Sequence, residues 1–345
     1  MVAAAVAALV PLPAGAVERW YSTLLYPPLQ SVLTGASNLV PFALLDVLII
    51  AALVLIAMGA ARDIAVRRRK GWFYALWLLA TRLGALAAMV YLLFLLVWGL
   101  NYRREPLESR LRFDESRVAT AAARQLALKT VEAVNRAYLA SHRQPETAFT
   151  AEQGLEDAFL RAEGALNVSR PARPGRPKRS LVDFYFRWAG VSGMTDPFFL
   201  ETLVASDVLP FERPMVLAHE WSHLAGFADE SEANFLGWLT CVSGSDAAAY
   251  SGWLFLYNEV TATLHREERT EIARRLDPGP RDDLRASAER AQRNVKPAIA
   301  NAGWRAYDTY LKANRIESGT ANYEEVVRLI LGTEFENGWQ PQLRK

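Results

Sequence analysis

The sequence predicts a mainly helical α+β protein in which N-terminal transmembrane helices precede a mostly helical domain with a short β-sheet. Three observations predict this. Two stretches near the N-terminus stay apolar over about the 20 residues that a helix needs to cross a hydrocarbon core. The charges are segregated, since only ten of the 76 Asp, Glu, Lys and Arg residues lie before Arg103. The remainder carries helical apolar periodicity with one short β-branched stretch. The near balance of 39 basic and 37 acidic residues and the single Cys exclude a strongly basic nucleic-acid binder and a disulfide scaffold. A mean hydropathy of +0.03 therefore blends an apolar part with a normally charged one.

Residues 2–17 are apolar but interrupted by Pro11 and Pro13 and lack a basic start, so they read as a short anchor or an uncleaved signal-like segment. The following VERWYSTLLYPPLQ, with Trp20, Tyr21 and Tyr26, suits a membrane interface. NLVPFALLDVLIIAALVLIAMGAA, residues 38–61, contains one charge, Asp46, and residues 72–100 contain one, Arg82; both read as transmembrane helices. Ionisable groups are costly inside a span and normally paired, so Asp46 and Arg82 either pair with each other or snorkel to their nearer surfaces. The loop RDIAVRRRK between the spans is basic, which keeps it in the cytoplasm and puts everything beyond Tyr102 outside. The expected organisation is a membrane anchor over 1–101 and an extracytoplasmic domain over 102–345.

In that domain, residues 116–140 and 152–164 read as amphipathic helices. SRPARPGRPKRS, 169–180, carries three Pro and five basic residues and reads as a solvated loop, with no motif for nucleic acid. TLVASDVL, 202–209, reads as a short strand, and 250–265 and 322–331 as helices. No internal repeat and no glycine-rich phosphate loop is visible.

The chemistry is concentrated in His219-Glu220-Trp221-Ser222-His223, an HExxH motif. Two His at i and i+4 share one helical face and can converge on one ion, while Glu220 projects beside them towards a metal-bound water. The chain has only four His, so the spacing is informative. Pro214 suits a first helical turn, Leu217, Trp221 and Leu224 form a packing face, and Gly226 supplies a stop. A catalytic Zn²⁺ needs a third protein ligand and an open position. Glu230 leads, because a helix after Gly226 places Glu230, Asn234, Gly237 and Cys241 on one small and polar stripe that can approach the His helix. Glu232 falls on the opposite face and reads as the N3 member of a capping box whose N-cap is Asp229. Asp229 competes as a ligand too, since HExxHxxGxxD has metzincin-like spacing.

The stretch GVSGMTDPFFLETLVASDVLPFERPMVLAHEWSHLAGFADESEANFLGWLTC resembles the bacterial membrane proteins grouped as domain of unknown function DUF3810. WGLNYRREPL, Tyr250-Ser-Gly and YDTYLKANRIESGTANYEEVVRLIL extend the resemblance over most of the chain. It implies a zincin-like metallopeptidase with N-terminal membrane helices in the cytoplasmic (inner) membrane, multi-pass, and leaves the substrate undefined. The E-x-E-A-N block is also similar to the E-x-x-A-D of gluzincin membrane peptidases. Carried over, that similarity makes Glu230 the zinc ligand and Asn234, in place of the usual Asp, the residue that orients a ligand His.

The function expected on these grounds is zinc-dependent endopeptidase hydrolysis: a metal-activated water, deprotonated by Glu220, attacks a peptide carbonyl and Glu220 returns the proton to the leaving amine. Tyr250, Tyr257 and His265 are candidates for the oxyanion donor. The strand at 202–209 is the candidate edge for pairing with an extended peptide or protein substrate. The rival reading is a non-catalytic membrane protein with a structural zinc or HExxH helix. An intramembrane protease is excluded because Asp207, Glu212 and Arg213 precede the motif, and a transporter leaves the polar constellation unexplained.

Overall fold

A computed structural model describes residues 1–143, 152–314 and 325–344. Helix α1 (Val2–Leu9) is followed by α2 (Ala14–Ala16), a π-helical run (Val17–Leu25) and α3 (Tyr26–Asn38). Two long helices come next, α4 (Leu44–Lys70) and α5 (Trp72–Val97). Beyond a 3₁₀ segment (Gly99–Arg103) lie α6 (Thr120–Ser141), α7 (Glu152–Ala165), β1 (Pro177–Lys178), α8 (Asp183–Ala189), β2 (Gly193–Asp196) and β3 (Glu201–Val204). The C-terminal part holds α9 (Arg213–Leu224), α10 (Glu230–Val242), α11 (Asp246–Ala262), α12 (Arg266–Ala273), α13 (Pro278–Asn294), α14 (Pro297–Ala313) and α15 (Glu325–Gly332). A two-stranded ribbon, β4 (Phe335–Glu336) with β5 (Gln340–Pro341), ends the described chain. The fold is mostly helical with a small sheet, as the sequence predicts; residues 322–324 of the expected helix at 322–331 lie outside the described residues.

Leu44–Asp63 and Trp72–Val97 are long and apolar enough to cross a membrane. Only 6% and 17% of their most apolar windows is buried, so they are not core helices of the domain. The first span starts later than predicted because Pro41 lies in a break between α3 and α4, and the second ends at Val97. The Asp46 to Arg82 pair does not form. Arg82 pairs with Asp63, about two helical turns before the end of α4, and Asp46 sits in the first turn of α4, accepting from Ser180 Oγ (2.5 Å) and Leu181 N (2.8 Å). A carboxylate at a helix N-terminus also meets the favourable end of the helix dipole.

Residues 17–38 pack on the domain along one face, while Trp20, Leu24 and Leu25 stay exposed on the other. Tyr21, Tyr26, Gln30, Thr34 and Ser37 are buried, and their polar atoms are used by the domain: Tyr26 Oη donates to Leu224 O (2.8 Å) and Thr34 Oγ1 to Leu200 O (2.9 Å). The helical face Gln30, Thr34, Ser37 therefore docks on the sheet. α1 is eight residues, about 12 Å long, too short to cross a bilayer.

The sheet runs β1-β3-β2, with β1 parallel and β2 antiparallel to β3. The predicted strand at 202–209 is shorter, Glu201–Val204, wholly buried and central. The segment 169–180 is not a solvated loop either: Ala172, Gly175 and Lys178 are buried, and Lys178 completes an ion pair with Glu201 beneath the sheet (2.6 Å). Behind the sheet, α9, α10, α11 and α6 enclose a core around Trp221, Trp238, Phe159 and Phe235. A buried Trp removes about 150–250 Å² from water, roughly 4–6 kcal/mol before entropic costs, so Trp221 fixes the helix that carries the two His.

Candidate metal centre

α9 forms because Pro214 fits its first turn and Met215, Leu217, Ala218, Trp221 and Leu224 present one buried face. It ends at Gly226, whose φ of +83° suits glycine and where a side chain would press on Asn101 and Tyr26. The turn is held from the far end of the sequence. Arg104 donates to Gly226 O (2.9 Å) and is clamped bidentately by Glu18 (2.8 Å twice), while Trp98 Nε1 donates to His223 O (3.0 Å). The WGLNYRR segment after α5 thus fixes the C-terminal end of the motif helix.

Asp229 caps α10, accepting from Ser231 N (2.9 Å), Glu232 N (3.3 Å) and Ser231 Oγ (2.6 Å); it is a cap and not a ligand. Glu232 accepts the backbone N–H of Leu107 (2.5 Å), and burial pushes its carboxyl up to about 7; it anchors the chain at Leu107 and stays out of the cluster. The small stripe on α10 behaves as expected. A Cβ on Gly237 would come within 3.0 Å of His219 N, so glycine there is what lets α10 approach α9.

Across that contact, one ligand atom each from His219, His223 and Glu230 lies within 4.8 Å of the others. The two Nε2 atoms are 3.1 Å apart, and Glu230 Oε2 is 3.3 and 3.5 Å from them. His223 Nδ1 faces the carbonyl of Phe227 (2.8 Å), an acceptor only, so Nδ1 carries the proton. His219 Nδ1 lies 2.8 Å from Asn234 Oδ1, which orients it the same way. In the neutral tautomers both Nε2 lone pairs then point inwards at a carboxylate. Glu230 Oε2 is buried and accepts no hydrogen bond, while Tyr307 Oη donates to Oε1. Two imidazole nitrogens and an orphaned buried carboxylate oxygen converge, a set of two N and one O donors that would fit a divalent ion such as zinc.

The electrostatics agree. Burial alone would keep His223 neutral, yet the Glu230 carboxylate outweighs it and pushes the ring up to about 9. Glu230, despite its own burial, is held far below the carboxylate range by the two imidazoles. Positive charge is favoured where the three atoms meet. Glu220 is raised by burial, opposed by His219, His223 and a hydrogen bond from Thr195 Oγ1 (2.9 Å). That bond holds the carboxylate beside the cluster.

A cavity of about 770 Å³ opens onto His219, Glu220, His223 and Glu230. None of the three expected oxyanion donors lines it. Tyr250 donates to Asp283 (2.5 Å), Tyr257 lies towards Arg269 and Arg281, and His265 is an exposed N-cap of α12. Tyr307 and Tyr310 on α14 line it instead, one turn apart. The central strand β3 has both edges paired and cannot accept an extended chain; β2, which contributes Gly193, Met194 and Thr195 to the cavity wall, is an edge strand of that sheet.

The profile of the family described as "Protein of unknown function (DUF3810)" matches residues 21–331, and the chain belongs to that family. No curated protein and no solved structure matches it.

Proposed function

We propose that this DUF3810 chain is a membrane-anchored zinc-dependent metalloendopeptidase of gluzincin type, multi-pass in a bacterial inner membrane with its catalytic domain outside. The observation that carries this reading is the convergence of His219, His223 and the orphaned Glu230 Oε2 at the floor of a cavity that also holds Glu220. Zn²⁺ bound to these three residues supplies a Lewis acid that polarises a carbonyl and acidifies water. Glu220, kept basic by burial and held by Thr195, takes the proton of the attacking water and passes it to the leaving amine. Tyr307, on the opposite wall, is placed to donate to the developing oxyanion, exchanging its bond to Glu230 for that role. The free edge of β2 replaces the predicted β3 as the surface that aligns an extended peptide.

A purely structural ion would be enclosed by protein, whereas this cluster is reached by the cavity and His219 keeps partial solvent access. That difference supports catalysis. The test is metal analysis and hydrolysis of an unfolded polypeptide by detergent-purified protein beside Glu220→Gln. Both proteins are expected to hold about one zinc per chain, with hydrolysis lowered about 10²–10⁴-fold in the variant. Absence of stoichiometric zinc in the parent, or undiminished hydrolysis by the variant, would overturn the proposal. Orientation is tested by a cysteine at exposed Arg285, expected to react with a membrane-impermeant maleimide in intact cells; the single native thiol, Cys241, is buried.

A further inference from the structure

One wall of the cavity comes from an apolar helix of which only the last turns, from Tyr91 on, pack on the domain core. It is α5. Ala87, Val90, Tyr91, Phe94 and Trp98 recur at i, i+3, i+4, i+7 and i+11, one helical face, and all line the same cavity as the metal cluster. From Ala87 to Val97 is ten residues, about 15 Å at 1.5 Å per residue, which is half of a hydrocarbon core roughly 30 Å thick. Ala87 and Val90 are exposed, so the cavity is open along the helix.

A second observation stands apart from the cavity. α8, with Leu181 two residues before it, exposes Phe184, Tyr185 and Trp188, and α14 exposes Trp304. This patch adjoins the spans, since Asp46 at the head of α4 binds Ser180 and Leu181. Soluble surfaces rarely expose so many large apolar groups together, and aromatic side chains beside a span suit the membrane interface. Tyr185 and Trp304 also belong to the cavity wall, so the apolar patch, the open cavity and the exposed span form one continuous surface.

Resting on the peptidase reading, we infer that the cavity mouth lies in the membrane surface and that the substrate is a polypeptide anchored in the same bilayer, entering along α5 and cut within a few residues of its own span. The lining selects bulky apolar side chains beside the scissile bond. Hydrophilic chains from bulk water gain little there.

The experiment uses the full chain in liposomes with one apolar cleavable sequence presented in three ways: directly after a transmembrane helix, after the same helix and a twenty-residue Gly/Ser spacer, and free in solution. Cleavage of the first at least tenfold faster than of both others is expected. Equal rates for all three would overturn the inference and leave the peptidase intact; no cleavage of any by zinc-loaded protein would overturn the peptidase reading itself. Ala87→Trp should slow the first substrate with zinc content unchanged, whereas Leu86→Trp, on the adjoining lipid-facing side, should not; equal effects count against the route. Dibrominated lipids should quench less fluorescence in Trp188→Phe and Trp304→Phe than in the parent, and unchanged quenching in both would remove the membrane contact.

Discussion

Glu201 and Glu230 are both almost wholly buried, and their surroundings could hardly differ more. Glu201 Oε1 accepts from Lys178 Nζ (2.6 Å), Ser37 Oγ (3.0 Å) and Leu44 N (3.0 Å), and Oε2 accepts from Leu45 N (3.0 Å). Lys178 also donates to Ser37 O (2.8 Å). Every charge has its counter-charge and its donors. Glu230 has one donor, Tyr307, and its second oxygen faces two imidazole nitrogens that have no proton to offer in their neutral form. A carboxylate buried to hold elements together arrives with its donors, whereas one buried to hold an ion keeps lone pairs unspent.

Removing one partner from the closed site should have the largest effect on folding. Lys178→Met leaves Glu201 charged and without its counter-charge between α3, α4 and the sheet, and is expected to cost about 3–5 kcal/mol, more than a hundredfold in the folding equilibrium. Lys178→Met with Glu201→Leu should recover much of that loss. Denaturant titration in detergent checks both, and a mild effect of the single change would mean that the pair is wetter than its burial implies. Folded molecules of either variant should still bind zinc.

The open site should respond in the opposite sense. Glu230→Gln keeps the volume and the Tyr307 contact but removes the anionic ligand, so zinc affinity is expected to fall at least about 100-fold while the unfolding midpoint of the metal-free protein changes little. Competition with a chromophoric chelator measures the first, and a parent-like affinity would move the third ligand elsewhere. Asn234→Ala, which frees His219 Nδ1, should weaken zinc about 10–100-fold, and Asn234→Asp should restore or exceed the parent value.

The two sites also differ in how well the sequence announces them. The metal cluster is built from local periodicities: i and i+4 on α9, then a stripe at 230, 234, 237 and 241 on α10, and both survive folding because each helix is set by its own caps and apolar face. Tyr307 lies 77 residues from Glu230, on a helix that nothing local ties to the motif, and only the tertiary fold brings it in. The closed site was masked in another way. Lys178 belongs to a Pro- and Arg-rich stretch that has the composition of a surface loop, and Ser37 follows an aromatic segment that has the composition of a membrane interface. The usable signal was the run Gln30, Thr34, Ser37, polar residues at helical spacing, which is what a buried polar face looks like before its partner is known. The choice between pairing Arg82 with Asp46 and letting both snorkel misses Asp63 for a related reason: Asp46 and Asp63 are both carboxylates on α4, and only the packing of α4 on α5 selects Asp63.

A third buried carboxylate sharpens the comparison. Glu163 on α7 accepts from Ala172 N (2.9 Å) with Oε1, and its Oε2 has no partner, as in Glu230. Here no imidazole stands opposite, and burial pushes the carboxyl up to about 8, so at neutral pH it is protonated where Glu230 is ionised. A folded-state pKa above the unfolded value near 4.5 means that the folded chain binds the extra proton. Its contribution to stability is whole below pH 4.5 and drains away as pH rises towards 8, at about 1.4 kcal/mol per pH unit. Glu163→Gln cannot ionise and should lack that slope. Between pH 6 and pH 7 the parent is expected to lose about 1.4 kcal/mol relative to the variant, read as the difference in their denaturant midpoints at the two pH values. A parallel pH dependence would mean that Glu163 is ionised in the fold with an unseen donor, and that an unpartnered oxygen alone does not separate an acid awaiting a proton from one awaiting a metal.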